Sequence, residues 1–409
     1  MYSKAISKLF LVCVLIGSLW SCSKAPKTIK TIEFSTDYKF NTQIQEKVEK
    51  DTVAWKYQIS AADYATKGDY KNALQQWDLA MRGRDRNYST SQIDSLQKLY
   101  TVVNAKEFII AEAAKHQVVI INEAHHNSMH RMFTKSLLKD LYDQGYRYLA
   151  LEALANGADL DADLNTRKYP IQKTGYYTKD PQFGNMIRTA LSLGFQVVSY
   201  EATENVNGKE REIAQAKNLQ ELIENDPKGK FVIHCGFDHV LEGTHRSWEK
   251  AMAARLKEYT GIDPLTIHQV LYSEKGNSTY NHPMLKAFNV ATSSVLIDKN
   301  KQPFKYTRRE SWSDIAVFHP KTNYKNNRPN WLFTNGNQQI TIDLQTVELD
   351  FPVMVLAYKK GEDIQTAVPV DIAEAKSKTS VCELGLKKGK YEIVVTNKTK
   401  TIMFEEIVE

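Results

Sequence analysis

The chain has 409 residues, of which 25% are charged, and 54 Lys and Arg against 48 Asp and Glu give a net charge of +6. The charges are scattered without a run of five like signs, which argues against a nucleic-acid-binding protein. Four cysteines, two of them in the first 22 residues, are too few for a disulfide framework, and the length allows two or three domains.

At the N-terminus Lys4 and Lys8 flank the start of an apolar run over 9–19, followed by Leu19-Trp20-Ser21-Cys22. This order of charge, apolar core and small residue is that of a secretory signal. The run is about 11 residues, whereas a spanning helix needs roughly 20, so 1–21 is expected to be cleaved rather than kept as an anchor. Its end resembles the lipobox of bacterial lipoproteins. That resemblance implies lipid on Cys22 and a protein tethered to the membrane of the cell envelope, at the outer membrane and facing the periplasm. Loss of Lys4 and Lys8 lowers the net charge to +4, and only Cys235 and Cys382 remain in the globular part.

Residues 22–50 have few apolar side chains and no clear period, and read as a spacer ending in a helix. Over 51–115 the period is helical. Trp55, Ile59, Ala62 and Ala65 recur at helical spacing, Gly68-Asp69-Tyr70 interrupts, and Ala73, Leu74, Trp77 and Ala80 resume. The pattern resembles one tetratricopeptide unit. A single unit cannot bury its own face, so a helical cap on the following domain is expected.

Over 116–325 the period changes. Apolar runs at 118–121, 148–151, 195–200 and 231–233 alternate with helical stretches at 129–144, 185–194, 210–224 and 248–260. Strand–helix alternation with wholly apolar strands predicts an α/β fold, a mainly parallel sheet with helices on both faces. Stretches 265–272 and 315–319 are candidates for further strands. Beyond 335, short alternating runs at 339–344, 353–358, 379–384, 391–396 and 401–404, with Gly361, Gly385 and Gly389 at or near the turns, predict a small β-sandwich over 335–409 with a structural or adhesive role.

Polar residues gather at the carboxyl ends of the four strands. The first runs into Asn122-Glu123-Ala124-His125-His126, the second into Glu152, the third into Glu201, and the fourth into His234-Cys235-Gly236-Phe237-Asp238-His239. In open α/β sheets ligands bind just beyond those ends. Charged groups resist burial without partners, so four such strand ends are hard to explain as packing.

Val-Val-Ile-Ile-Asn-Glu-Ala-His over 118–125 resembles the Gly-Glu-x-His opening of the erythromycin esterase and ChaN-like haem-binding superfamily. Tyr148-Leu-Ala-Leu-Glu152 is similar to its second-strand glutamate. Arg211-Glu212, Ala216 and Asn218 match the esterase helix, with Gln215 where Met is usual. Gly236-Phe-Asp-His239 resembles the second histidine motif, and also a motif of Tiki-type metalloproteases. The resemblance covers about 118–272 and implies Glu123, His125, Glu152, Arg211 and His239 as the catalytic set, with His126, Arg131, Glu201, His234 and Asp238 in support. Asn122 stands where the family has Gly; Asn tolerates left-handed backbone best after Gly, so the turn is expected to survive.

The chemistry of the set agrees with hydrolysis of an ester or amide in a small-molecule or peptide substrate. A histidine paired to a glutamate can take a proton from water near neutral pH, and Arg211 can hold a carboxylate or stabilise an oxyanion. Alternatively His125, Glu152 and His239 could ligate a divalent metal ion with water in an open position. Two further readings are a haem- or other ligand-binding lipoprotein without turnover and an interaction protein with a vestigial site. His126 and His130 share a helix face near Arg131, a solvated first turn or the mouth of the site. Tyr176, Tyr177 and Phe183 belong to a long polar loop, lid or plain surface. Cys235 is expected to face away from His234, and His268 and His319 to be structural.

Overall fold

The computed structural model describes residues 28–409 apart from 31, 36 and 37, so the expected signal segment and Cys22 lie outside the described residues. In chain order the first half runs β1 (Thr28–Lys30), α1 (Asn41–Lys50), α2 (Lys56–Thr66), α3 (Tyr70–Met81), α4 (Thr90–Leu99), β2 (Thr101–Asn104), α5 (Ala105–Ala113), β3 (Val118–Glu123), α6 (Ser128–Asp143), β4 (Tyr146–Leu151), α7 (Leu164–Arg167), α8 (Pro181–Leu193) and β5 (Gln196–Ser199). There follow α9 (Lys209–Asn225), β6 (Lys230–Gly236), β7 (Glu242–Gly243), α10 (Met252–Thr260), β8 (Leu265–His268), α11 (Pro283–Phe288), β9 (Ser294–Ile297), β10 (Tyr306–Arg308), β11 (Ser311–Ser313) and β12 (Ile315–Phe318). The chain ends with β13 (Tyr324–Lys325), β14 (Arg328–Pro329), β15 (Gln338–Ile342), β16 (Val353–Lys359), β17 (Asp371–Ala375), β18 (Cys382–Leu386), β19 (Gly389–Thr396) and β20 (Thr401–Val408). Among the described residues no helix is long and apolar enough to cross a membrane.

The large sheet has the order β2-β9-β12-β8-β3-β6-β4-β5. From β12 to β5 every pairing is parallel, while β9 and β2 add an antiparallel edge. Successive residues of β3 go to opposite faces, as the period-two pleat requires. Val119 and Ile121 join Phe133, Leu137 and Leu141 of α6 and Met186, Ile187 and Ala190 of α8. Val118 and Ile120 join Ala216, Leu219 and Ile223 of α9 and Met252 and Leu256 of α10. Each such fully buried aliphatic side chain contributes roughly 1.5–3 kcal/mol, which is why the strands read as continuous apolar runs. Segment 51–115 is not wholly helical: Thr101–Asn104 is the outermost strand of this sheet, paired to β9.

In the C-terminal part an antiparallel sheet of order β1-β20-β19-β16-β17 faces the β15-β18 pair across an apolar layer that includes Leu344, Val355, Leu384 and Ile393. The spacer reading of 22–50 needs correction from residue 28 on. β1 pairs with β20, Tyr38 and Phe40 are buried against Met354 and Leu356 of β16, and Ile44 of α1 is buried with Tyr64 and Ala73. β17 is a strand for which the reading had no run; Asp371 at its start interrupts the apolar alternation.

Candidate functional site

Because β3, β6, β4 and β5 are adjacent and parallel, their carboxyl ends deliver Glu123, Gly236, Glu152 and Glu201 to one edge. Spacing alone puts His125 and Glu152 on neighbouring strand ends, 27 residues being one crossover. The structure corrects this, since β6 lies between β3 and β4. The turn after β6 therefore threads between the two residues, and only glycine fits there. A Cβ on Gly236 would overlap the His125 ring and stand 3.3 Å from Glu152 Oε2. The Gly236 N–H donates to that same carboxylate oxygen.

His125 is fixed from three sides. Its Nδ1 lies 3.0 Å from Glu123 Oε1, the Tyr177 ring stacks on it at 3.9 Å, and Phe237 meets it edge-on at 5.2 Å. Glu123 is buried and held by Arg131, whose Nε and Nη2 donate at 2.7 and 2.6 Å. Burial pushes the Glu123 carboxyl up, but the Arg131 guanidinium and the His125 hydrogen bond outweigh it and hold the group far below the usual carboxylate range. Arg131 also bonds the His125 carbonyl at 2.8 Å and Asp180 at 3.0 Å. Asp180 caps α8 by accepting from the Gln182 and Phe183 N–H groups, so the helix start and the site share one carboxylate.

Arg211, on the first turn of α9, joins the other half. Its Nε donates to Glu201 at 3.0 Å, its Nη2 to Glu152 at 2.5 Å and to Glu201, and its Nη1 lies 3.0 Å from His239 Nε2. Glu201 also accepts from Gln215. His239 Nδ1 is 2.9 Å from Glu212 Oε2, which accepts the Met252 N–H as well. Burial lowers the pKa of His239, yet Glu152 and Glu212 more than offset it and raise the group above the ordinary imidazole value, with Arg211 opposing. Burial raises Glu152, but His239, His125, Arg211 and the Gly236 amide pull it down to about 2. His239 thus has two partners at Nε2: neutral, it accepts from Arg211; protonated, it faces Glu152 Oε1 at 3.4 Å.

The remaining candidates take different places. His126, His130 and Arg131 are all buried, so the solvated-first-turn reading is overturned. His126 precedes the helix and stacks on Trp77 of α3 at 4.1 Å, and Trp77 also covers Phe237 at 5.4 Å. His130 bonds Ser273 at 2.6 Å. His234 lies 3.7 Å from Glu123, too far for a hydrogen bond, and burial takes it down to about 4. Asp238 turns away from the other candidate residues to Arg308 and His245, in a cleft of about 570 Å³ also lined by Arg246, Trp248 and Arg309. The Trp248 ring stacks on both His245 and His239, at 4.2 and 5.2 Å. Cys235 packs in the opposite face of the sheet, as its parity demands. Of the loop aromatics Tyr177 reaches the site, Phe183 is core and Tyr176 is exposed. His268 stacks on Tyr306 and His319 bonds Gln269, away from the set.

Asn122 does not replace a glycine's backbone freedom, since its φ is not positive. Its side chain instead donates to the Phe237 carbonyl at 2.7 Å and accepts the Gln269 N–H at 2.8 Å, holding the turn in which Phe237 has φ +40°. Glu212 was given no role by the sequence. Its signal is position: it falls in the buried stripe of Gln215, Ala216, Leu219 and Ile223, where a carboxylate needs a partner. Among the described residues no three of His, Cys, Asp and Glu are set as a metal-ligating group.

No family model and no curated protein matches the chain. Among solved structures, RRSP, a MARTX toxin effector domain from Vibrio vulnificus, aligns at 18% identity and TM-score 0.28, over 49% of this chain and 44% of that one. The type III effector HopBA1 aligns at 13% identity and TM-score 0.35, over 55% and 98%. The C-terminal region of Pasteurella multocida toxin aligns at 9% identity and TM-score 0.31, over 83% and 52%. This chain thus spans less than half of the first. The neighbours are toxins and effectors, and at these scores the likeness assigns neither family nor function.

Proposed function

We propose that the chain is a hydrolase that directs water onto an ester or amide carbonyl without a metal. One observation carries the reading: two imidazoles are each anchored at Nδ1 by a buried glutamate, at 3.0 Å for His125–Glu123 and 2.9 Å for His239–Glu212, beside one arginine. Donation from Nδ1 leaves His125 Nε2 with a free lone pair beside Gly236. His125 takes a proton from water as the oxygen attacks the carbonyl carbon. Three of the five Arg211 N–H bonds are committed to Glu201 and Glu152, and while His239 is protonated at Nε2 it does not accept from Nη1, which leaves the Nη1–H groups for the developing oxyanion. The C–O or C–N bond then breaks, and His239, protonated at Nε2, delivers its proton to the leaving alcohol or amine. His239, which Glu152 and Glu212 raise above the ordinary imidazole value, is suited to hold that proton until the leaving group needs it.

A divalent metal on His125, Glu152 and His239 fits these residues poorly. Both Glu152 oxygens are engaged, and the Arg211 guanidinium already occupies the place a cation would take between Glu152 and His239. Haem carriage asks for an apolar slot, whereas this edge is lined by carboxylates and guanidinium. The cleft beyond Trp248, with Arg246, Arg308 and Arg309, would seat an acidic part of a small-molecule or peptide substrate. Anchoring by lipid on Cys22, in the cell envelope at the outer membrane and facing the periplasm, is part of the same proposal and rests on the N-terminal sequence alone. Turnover on a panel of esters and peptides, unaffected by EDTA and 1,10-phenanthroline and lost in His125→Ala, is the expected result. Loss of activity with the chelators would overturn the metal-free mechanism.

A further inference from the structure

A second cleft, of about 500 Å³, opens between α6, α8 and the C-terminal sheet, well apart from the strand-end site. Its walls carry Lys135, Lys139, Arg188, Lys359 and Lys387 and neither Asp nor Glu. Two of these cations are neutralised nearby. Lys139 pairs with Asp143 at 2.6 Å, and Arg188 forms a two-pronged pair with Glu362 at 2.7 and 2.6 Å.

Lys135 has no such relief. It is 6% exposed, and among the described residues its amine has neither a hydrogen bond nor an ion pair. Its stem is buried and its amine reaches only the cleft, and an ammonium so largely withdrawn from water without a partner is costly. Burial and the neighbouring Lys387 depress it to about 7. Lys359 is depressed too, by burial and by Arg188 and Lys387, with Glu362 opposing. Like charges lining one cleft repel, and its walls hold no carboxylate to offset this. An anion between the amines would turn each repulsion into an attraction.

We propose that this cleft binds a small, multiply charged oxyanion of the phosphate or sulfate-ester kind, held by Lys135, Lys359 and Lys387. Lys135 stands one helical turn from Arg131, which holds Glu123, so an occupant here would touch the helix that orients the strand-end site. The proposal does not depend on the hydrolase reading.

The test uses the full chain and sodium pyrophosphate. Millimolar pyrophosphate should raise the melting temperature by a few degrees over sodium chloride of equal ionic strength, by binding the folded state alone. Lys135→Met should melt higher than the parent without pyrophosphate and lose that rise, and Lys387→Gln should reduce it. In the parent, acetic anhydride near neutral pH should modify Lys135 faster than exposed lysines, and pyrophosphate should protect it, as read by mass spectrometry. Absence of a rise in the parent, an undiminished rise in Lys135→Met, or labelling of Lys135 indifferent to pyrophosphate would each overturn the proposal. Should Lys135→Met fail to fold, the labelling of the parent decides.

Discussion

Glu123 and His125 are two residues apart and hydrogen-bonded to each other, yet their removal should have opposite consequences. Glu123 neutralises Arg131 inside the sheet–helix layer. Glu123→Ala leaves that guanidinium short of a partner and should cost about 3–5 kcal/mol in urea unfolding, with the fold itself at risk. His125 is the reverse case, on a turn with its side chain 16% exposed. His125→Ala should lower kcat/KM about 10²–10⁴-fold with little change in melting, and combining it with Glu152→Ala should add little further loss, since residues acting as a unit are not additive. Glu152 also predicts a pH signature. Its folded pKa, about 2, lies below the unfolded value. The stability it contributes is therefore present above the unfolded value and lost as pH falls through the window down to about 2. Glu152→Gln should flatten the dependence of unfolding free energy on pH in that window; an unchanged slope would show that the carboxylate is not held ionised.

At the scale of elements, strand and helix periods were the legible part. The stretch 118–121 reads as a buried strand because all four residues are apolar, and it is one. Thr101–Asn104 was illegible, as a short edge strand half in solvent carries no alternation between the helices that flank it. The clustering of the candidate residues was legible because charge at apolar strand ends is conspicuous. Its supports were not. Arg131 on α6 reads as a solvated face, and only the tertiary placement of Glu123 and Asp180 explains its burial. Nor does the sequence show that Tyr177 closes the site, because its loop has no period. That loop reaches α8 through a single-turn helix, Tyr177–Lys179, directly before the Asp180 cap, so the ring on His125 is braced by the helix start. Tyr177→Ala should free the His125 ring and lower kcat about tenfold, an aromatic contact being worth about 0.5–1.5 kcal/mol. Tyr177→Phe, which keeps the stack, should restore it; failure of Phe to rescue would assign the role to the hydroxyl.

On the scale of the whole molecule, the change of period near 335 marks a change of architecture, but buried polar contacts cross it. Arg328 donates to both oxygens of Asp371, one at 2.6 Å, and the same carboxylate accepts the Gly385 N–H at 2.7 Å. Lys67, at the end of α2, pairs with Glu374 of β17, and Arg188 of α8 pairs with Glu362. Asn185 donates to the Val370 carbonyl at 2.8 Å, and β1 extends the C-terminal sheet from the other end of the chain. Separating the two parts would leave charges without partners on both sides, a cost of about 3–5 kcal/mol for each buried pair broken from one side. That is comparable to the stability of a small domain. The strands over 335–409 read as a self-sufficient sandwich in the sequence, since side-chain period says nothing about which salt bridges cross a boundary. The intact chain should therefore unfold in one calorimetric transition, with the van't Hoff and calorimetric enthalpies equal. Asp371→Ala should lower that transition without splitting it. A fragment of 335–409, which lacks Arg328, Lys67 and β1, should melt broadly and at lower temperature than the same sheet in the intact chain. Two resolved transitions in the intact protein, or a fragment as stable as the whole, would mean that the crossing pairs couple nothing.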